Sequence, residues 1–591
     1  MRKKWCCTGG RRKLKAVLSY CFFFLLLLLH VNGNCQNLIV SPGTRFSGSG
    51  GTLVLYGNII NHGFFNNDNT VVFSGSNQSV GGDSPSAFNN MNITYGTSVS
   101  LISAGNTLKG ILLNNGTLNS DGNLTLLSSE TGTALIDGRG TGEVSGYITM
   151  QRYFPAGFGY KYISSPFTSS TVSELSDELK PEEPFPVLFR YDESRTMSGW
   201  IDYTAASGIL YPMNGYAANL GESPDPRIID IQGIVNNGNL SITLYNHNNQ
   251  FTQGFNLVGN PYPSPIDWDS PSGWTKINID NALYFFKASE TDAYGGNYVT
   301  YMNGISSDGL ASSIIPSMQG FFIHVSDGDY PVTGILGTTN EVRITNMDHP
   351  FIKSDYENVK PMLRLVAGYE NDTASFDPLI IYFDAKATTN FDGQCDALKL
   401  FNTDYMVTNF YSFSEDGSQL SINGLPPDIA ESYTVRLGIK TEMDETIVFK
   451  IKNIEGNLGL DKVILTDTVA HSNQDLLHTN IYKVSLPAGH YKERFYLNLV
   501  KTPTGINDYE DQKNDIKIYS FQGTLTVIIN RPDFTYGTLT MYNLSGQSLY
   551  KNNILGPGEH KLNPPLRNGF YIVTLTYGSD RFTEKVILNN N

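Results

Sequence analysis

The chain has 591 residues, with 41 Lys and Arg against 56 Asp and Glu and a formal net charge of −15 at pH 7. That acidic balance argues against nucleic acid and anionic membrane surfaces as partners, and the length calls for several domains. With 57 glycines, 12% aromatic residues and only 16% charged ones, the composition is that of an extracellular β-protein rich in turns.

Residues 1–35 open with Arg2, Lys3, Lys4, Arg11, Arg12, Lys13 and Lys15 and no acid, followed by an apolar run at 16–31. A basic stretch, an apolar stretch and small or polar residues at 32–36 predict a secretory signal peptide, cleaved after Cys35 to leave Gln36 first. A lipid anchor at Cys35 is the alternative. The apolar run is about sixteen residues, short of the roughly 20 that cross a bilayer. No later run is long enough, so no transmembrane segment is expected after cleavage. Cys6, Cys7, Cys21 and Cys35 belong to the leader, and Cys395 then has no partner for a disulfide. A small buried hydrophobe is its expected role, ahead of a catalytic thiol.

Residues 36–150 are short apolar triplets between Gly and Asn turns, as in "GTLVLYGNI", "NTVVFSG" and "NTLKGILLNNGTLNSDGNLTLLS". Their spacing is roughly ten residues, with a looser recurrence near twenty, which predicts a β-solenoid whose coils stack on a shared core. Asn and Gly suit its corners because both tolerate positive φ. An irregular β-sandwich is the other reading.

Residues 151–347 predict a β-rich domain with strands at 282–287 and 320–325. One helix candidate stands at 171–179, where Ser173 could cap and Val172, Leu175 and Leu179 share a face. Residues 348–502 alternate apolar and polar positions, as in "TVRLGIK" and "FYLNLV", and predict a β-sandwich of seven or eight strands. Residues 503–515 are polar and charged and read as a linker.

Few residues suggest chemistry. No nucleophile elbow, H-E-x-x-H, phosphate loop or dinucleotide fingerprint occurs. The eight histidines beyond the leader are scattered, and His471 and His478 are too far apart for a local metal clip. Asp377, Asp384, Asp392 and Asp396 form the densest acidic group, and a loop at 390–396 would offer some of the six or more oxygens that calcium needs. Solvated carboxylates are the plainer account, as a turn is for Asn66, Asn67, Asp68 and Asn69. Trp200, Trp268 and Trp274, with Tyr216 and Tyr262 in similar turn-rich sequence, are candidates for stacking on glycan faces, against core packing.

Residues 516–591 carry four alternating runs: Leu525, Val527, Ile529; Leu539, Met541; Tyr571, Val573, Leu575; and Phe582, Val586, Leu588. Turn residues stand between them, which predicts a small Ig-like β-sandwich. The phrases "GTLTMYNLSGQSLYK", "LNPPLRNGFYIVTLTYGSD" and "EKVIL" resemble the type A C-terminal sorting domain of the type IX secretion system of Bacteroidota, matching it at Gly546, Gly569, Tyr571 and Lys585. The family usually opens with a Pro-Asn-Pro turn after its first short strand. Here "IYSFQGTLTVII" stands in its place, and only Gly523 of that turn is present. Phrases such as "FNLVGNPYPSPIDWDS" and "IIPSMQGFFIHVS" in 151–347 resemble the region that precedes this domain in many large proteins of the same route.

The resemblance implies export across the outer membrane, with the secretion machinery and its sortase-like protease as partners. Release or attachment to surface lipopolysaccharide would follow, so the protein is expected in the medium or on the cell surface. Together the readings point to an all-β, multidomain, non-catalytic secreted or surface protein of adhesin, spacer or matrix type. A polysaccharide-active enzyme or glycan-binding protein is the alternative. No cofactor is expected, with calcium left open.

Overall fold

The computed structural model describes residues 36–48, 50–179, 186–347, 360–372, 375–427, 432–501, 516–521, 523–578 and 580–588. The leader expected at 1–35 and the linker expected at 503–515 lie outside the described residues. The structure is nearly all β, with 55% strand, and no α-helix occurs among the described residues. The chain divides into two compact units. The first ends at Asn498. The second takes Leu499–Asn591 with the short pieces Ala430–Tyr433 and Gly459–Lys462.

The first unit begins as a solenoid of about five turns. Its strands pair in parallel with the strand one coil on. Leu38 faces Ile59 and Ile59 faces Val80 on one sheet, while Val71 faces Met91 and Met91 faces Leu112 on the other. Antiparallel hairpins, which a sandwich would need, are not the pattern here. Because coil n repeats the inward positions of coil n−1, apolar side chains form columns such as Phe88, Leu108, Leu126 and Met150, all at most 1% exposed. Each such buried side chain contributes roughly 1.5–3 kcal/mol.

The corners work differently from the sequence expectation. The asparagines at coil corners do not adopt positive φ. Asn61 and Asn114 are buried, and their amides bridge backbone groups within and between coils. Asn61 Nδ2 donates to Pro85 O at 2.7 Å and its Oδ1 accepts from Gly63 N at 3.1 Å. Asn114 Nδ2 donates to Glu143 O at 2.8 Å and its Oδ1 accepts from Gly116 N at 3.1 Å. A buried corner carries backbone donors and acceptors that water cannot reach, and a side-chain amide satisfies both kinds at once. Gly63 and Gly116 are needed for space, since a Cβ there would lie 2.4 Å from Thr44 O and 2.1 Å from Thr97 O.

The last coil is closed by an antiparallel partner. Strand Tyr147–Phe154 runs unbroken past Met150 and pairs with Arg227–Ile234. The solenoid core continues into the next segment through Phe154, Phe167, Leu188 and Ile231. The helix candidate at 171–179 proves to be one 3-10 turn, Val172–Leu175, whose N-cap is Thr171 rather than Ser173. Its face is as expected: Val172, Leu175 and Leu179 are all buried. With only two of the three apolar positions inside the turn, burial rather than helix length holds it.

Beyond the solenoid, a four-stranded sheet (Tyr160–Ser164, Gly215–Asn219, Leu188–Tyr191, Trp200–Asp202) adjoins a five-stranded one that includes Leu283–Ala288 and Gly296–Met302. An eleven-stranded, mostly antiparallel sheet follows, built from strands between Met362 and Val500. One core joins these sheets across residue 347: Tyr284, Met302 and Phe322 pack with Met362, Ile380 and Tyr382. Arg364, buried, donates to Ser306 O at 2.5 Å and to Asn453 Oδ1 at 3.1 Å. Arg343 ties in the solenoid, donating to Ile136 O at 2.5 Å and to Ser264 Oγ at 2.7 Å.

The second unit is a sandwich of three strands (Ile516–Phe521, Thr524–Ile529, Gly558–Leu562) and four (Ser548–Leu555, Tyr536–Tyr542, Gly569–Tyr577, Asp580–Leu588). Leu525, Val527, Leu539, Met541, Val573 and Leu575 fill its core at 0% exposure.

Candidate functional site

The first unit contains a cavity of about 390 Å³ between the four-stranded sheet and the hairpin of Leu283–Ala288 and Gly296–Met302. Its origin is a small residue in a row of large ones. Across the sheet Tyr162, Ala217 and Phe189 are directly paired neighbours, and their side chains share a face. Ala217 offers only a methyl group between two rings. Opposite, Phe286 and Tyr298 face each other across the hairpin. Trp200, Tyr160 and Tyr294 complete the walls, and the exposed Ser198 and Thr403 stand at the rim.

The rings brace one another. Tyr162 stacks on Phe286 with centroids 4.7 Å apart and planes 15° apart, and Trp200 packs edge-on to Phe189 at 6.2 Å. The Arg195 guanidinium donates to the Trp200 carbonyl. The hydroxyls of Tyr162 and Tyr298 are 2.8 Å apart and hydrogen-bonded. Burial pushes both phenols above their ordinary range, so they stay neutral at physiological pH. The lining holds no carboxylate, imidazole, amine or thiol. It can bind, but its lining holds no acid or base that titrates near neutrality to activate the Ser198 or Thr403 hydroxyl.

Of the three tryptophans, only Trp200 lines this cavity. Trp268 is 1% exposed, donates from Nε1 to Asn281 O at 2.8 Å, and packs edge-on to Trp274 at 4.9 Å in another core cluster. Lys276 Nζ lies 3.5 Å from the Trp268 ring centroid, and burial lowers its pKa to about 8. Tyr262 and Tyr216 are fully buried and donate to Gly238 O and Ile209 O.

The acidic group is dispersed. Asp377 forms a buried ion pair with Lys399 at 2.5 Å, and Asp384 pairs with Lys360 at 3.0 Å. Asp396 accepts from Asp392 N at 2.8 Å and Gly424 N at 2.7 Å, and burial raises its carboxyl to about 7. Asp392 accepts from Gln394 N at 2.9 Å. Among the described residues, no group of three or more His, Cys, Asp or Glu is arranged to hold a metal ion. Asn66 to Asn69 lie within the strand Phe64–Phe73 rather than in the expected turn; the pairing with the next coil shifts register between Asn67 and Thr70, where Asn67 Oδ1 accepts from Asn69 N at 3.2 Å. Cys395 is buried, and burial raises its thiol. His478 pairs with Asp475 at 2.8 Å, and His471 sits at a turn with φ 51°.

Two acid–imidazole pairs, one buried and one half-buried, were not visible in the sequence, because their members lie 44 and 54 residues apart. Asp280 meets His324 Nδ1 at 2.6 Å and also accepts from Ser326 Oγ at 2.5 Å. Glu193 meets His247 Nδ1 at 2.6 Å and accepts from Gly254 N at 3.2 Å. In the first pair the serine hydroxyl bonds the carboxylate and not the imidazole, so it lacks the nucleophile–base contact of a hydrolase. Both hold loops together.

In the second unit, the residues that carry the sequence resemblance gather at one end of the four-stranded sheet. Gly546 lies in the turn after Tyr542 at φ 80°, where only glycine is unstrained, and Tyr542 pairs with Ile572. Gly569 opens that strand, and Lys585 lies directly across from Ile572. Tyr571 points inward, 8% exposed, and its hydroxyl donates to Arg567 O at 2.8 Å. Lys585 is exposed, with Nζ 5.0 Å from the centroid of the Phe570 ring. Phe570 and Ile587, paired neighbours, are 50% and 56% exposed.

These features define an all-β protein in which a short parallel solenoid runs into antiparallel sheets with an aromatic cavity. It belongs to the family described as "Domain of unknown function (DUF8693)", whose model matches residues 60–499. That match ends with the first unit and leaves the C-terminal sandwich outside it. No curated protein matches the chain. A solved structure described as "Biofilm associated protein - BSP domain" aligns over 75% of this chain and 92% of its own, at 10% identity and a TM-score of 0.11. A likeness at that level carries no argument.

Proposed function

We propose that this is a non-catalytic protein of the cell surface or surrounding medium, carried across the outer membrane through a type IX secretion route by residues 516–588. The observation that carries the proposal is the convergence of Gly546, Gly569 and Lys585 at one end of a sandwich with its own core, outside the span of the family model. Beside them the outer face of the sheet exposes Phe570 and Ile587 around the Lys585 cation. An apolar pair beside a charge is the kind of patch a partner protein recognises.

In this proposal the leader at 1–35 takes the chain to the periplasm, and the sandwich takes it across the outer membrane. A sortase-like protease then cuts in the linker at 503–515, and the body is released or joined to surface lipopolysaccharide. The body serves as an adhesin or spacer. Its acid–imidazole pairs, Asp280 with His324 and Glu193 with His247, hold loops, which supports a structural and binding role over a catalytic one.

Deleting 516–591 should leave the chain in the periplasm of its native host. Fusing 502–591 to a periplasmic reporter with its own leader should carry the reporter outside. Truncated protein in the medium, or a fused reporter retained within the cell, would overturn the proposal.

A further inference from the structure

We infer that the cavity beneath Trp200 is a binding site for a small, neutral, ring-bearing molecule with one hydrogen-bond-accepting oxygen. This inference goes beyond the export reading and does not depend on it.

The first argument is hydrogen counting. Tyr162 and Tyr298 bring two O–H hydrogens to a single 2.8 Å contact, and that contact uses one. Among the described residues the pair of hydroxyls has no further hydrogen-bond partner. The residues are 4% and 9% exposed, and both line the cavity. One phenolic donor is therefore left over at the cavity wall, and a buried donor without an acceptor carries a desolvation cost until something accepts from it. Water serves poorly here. A well-held water needs two to four polar partners, and the surrounding walls are aromatic faces and edges.

The second argument is what the lining lacks. Thr403 Oγ1 is already engaged with Gly296, accepting from its N–H at 3.1 Å and donating to its carbonyl. With no charged group in the lining, an ion entering the cavity would surrender hydration without a counter-charge. A hexose would bring several hydroxyls to a mostly aromatic wall whose donors are few, the leftover phenol with the Trp200 indole N–H and Ser198 at the rim, and each unmatched hydroxyl is penalised. An aromatic or alicyclic ring with one carbonyl or ether oxygen satisfies the leftover phenol and brings no donor of its own. Its ring meets Trp200 and Phe286 in the offset or edge-on contacts that aromatic groups favour. The cavity of about 390 Å³ falls at the small end of ligand sites, roughly 300–1,000 Å³.

The test uses the full chain and calorimetric or tryptophan-fluorescence titration with acetophenone, a ring bearing one carbonyl. Saturable binding of one molecule per chain is expected, with ethylbenzene, which lacks the oxygen, roughly threefold to tenfold weaker. Replacing both phenols, Tyr162→Phe with Tyr298→Phe, should erase that difference between the two ligands. Ser198→Trp, at an exposed rim position outside the core, should block both ligands while leaving thermal unfolding unchanged. The inference is overturned if acetophenone does not saturate, or if its binding survives Ser198→Trp. It is equally overturned if methyl glucopyranoside or tetramethylammonium binds more tightly than acetophenone.

Discussion

The buried pair of Asp377 and Lys399 should behave as a structural clamp whose halves cannot be removed singly. The side chains are 2% and 3% exposed, with Nζ and Oδ2 2.5 Å apart, and Phe410 N donates to the same carboxylate oxygen at 2.6 Å. The pair joins the start of strand Asp377–Phe383 to the segment after Ala397–Leu398 and to strand Asn409–Phe413. Lys399→Met strands a carboxylate in the core, and Asp377→Asn strands an ammonium. Each should cost about 3–5 kcal/mol. The double variant Asp377→Leu/Lys399→Met leaves no charge, only the orphaned Phe410 N–H, and should cost about 1–3 kcal/mol. Equilibrium denaturation with calorimetry on the full chain would measure all three. A single variant losing less than about 1 kcal/mol, or a double variant losing the sum of both singles, would refute the clamp. The same geometry implies that calcium does not stabilise the chain through Asp377, since Lys399 already balances its charge.

Asp467 provides a pH test. Burial alone would raise its carboxyl, but hydrogen bonds from Arg494, Ala470 N and Tyr482 bring it down to about 2, from 3.8. A folded-state value below the unfolded one stabilises the fold above about pH 4, and that contribution, about 2 kcal/mol, is lost as pH falls toward 2. Asp467→Asn should therefore flatten the acid limb of thermal unfolding, and an unchanged limb would contradict the assignment. In the solenoid, Phe88→Ala should cost about 3–5 kcal/mol in denaturant unfolding, because Phe88 packs against both Phe65 and Phe73 at 0% exposure. Gly546→Val should destabilise the C-terminal sandwich by about 1–2 kcal/mol through its positive φ alone, since open space surrounds the position. Far-UV circular dichroism should show a β-dominated spectrum with negligible helix.

The strands were legible in the sequence because alternation of apolar and polar residues is a local property. "TLTM" and "YIVTL" must bury Leu539, Met541, Tyr571, Val573 and Leu575 on one face wherever they end up, and they do. The solenoid was legible for a related reason. A recurrence near twenty residues is one coil, and equivalent positions in successive coils stack. What no local pattern contains is which distant segments meet. The sequence suggests boundaries near 150 and 347, yet buried cores cross both, because burial follows contact in space rather than order in sequence. Asparagine suited the corners for its tolerance of positive φ, whereas at Asn61 and Asn114 the corner backbone of the next coil decided that the side chains would be used. The three tryptophans looked alike in composition, and packing sent Trp268 and Trp274 to one core and Trp200 to a cavity wall. That cavity depends on Ala217, an unremarkable residue in the sequence, lying between Tyr162 and Phe189. Only the pairing of strands far apart in the chain sets an alanine in a row of rings, and so leaves room for a ligand.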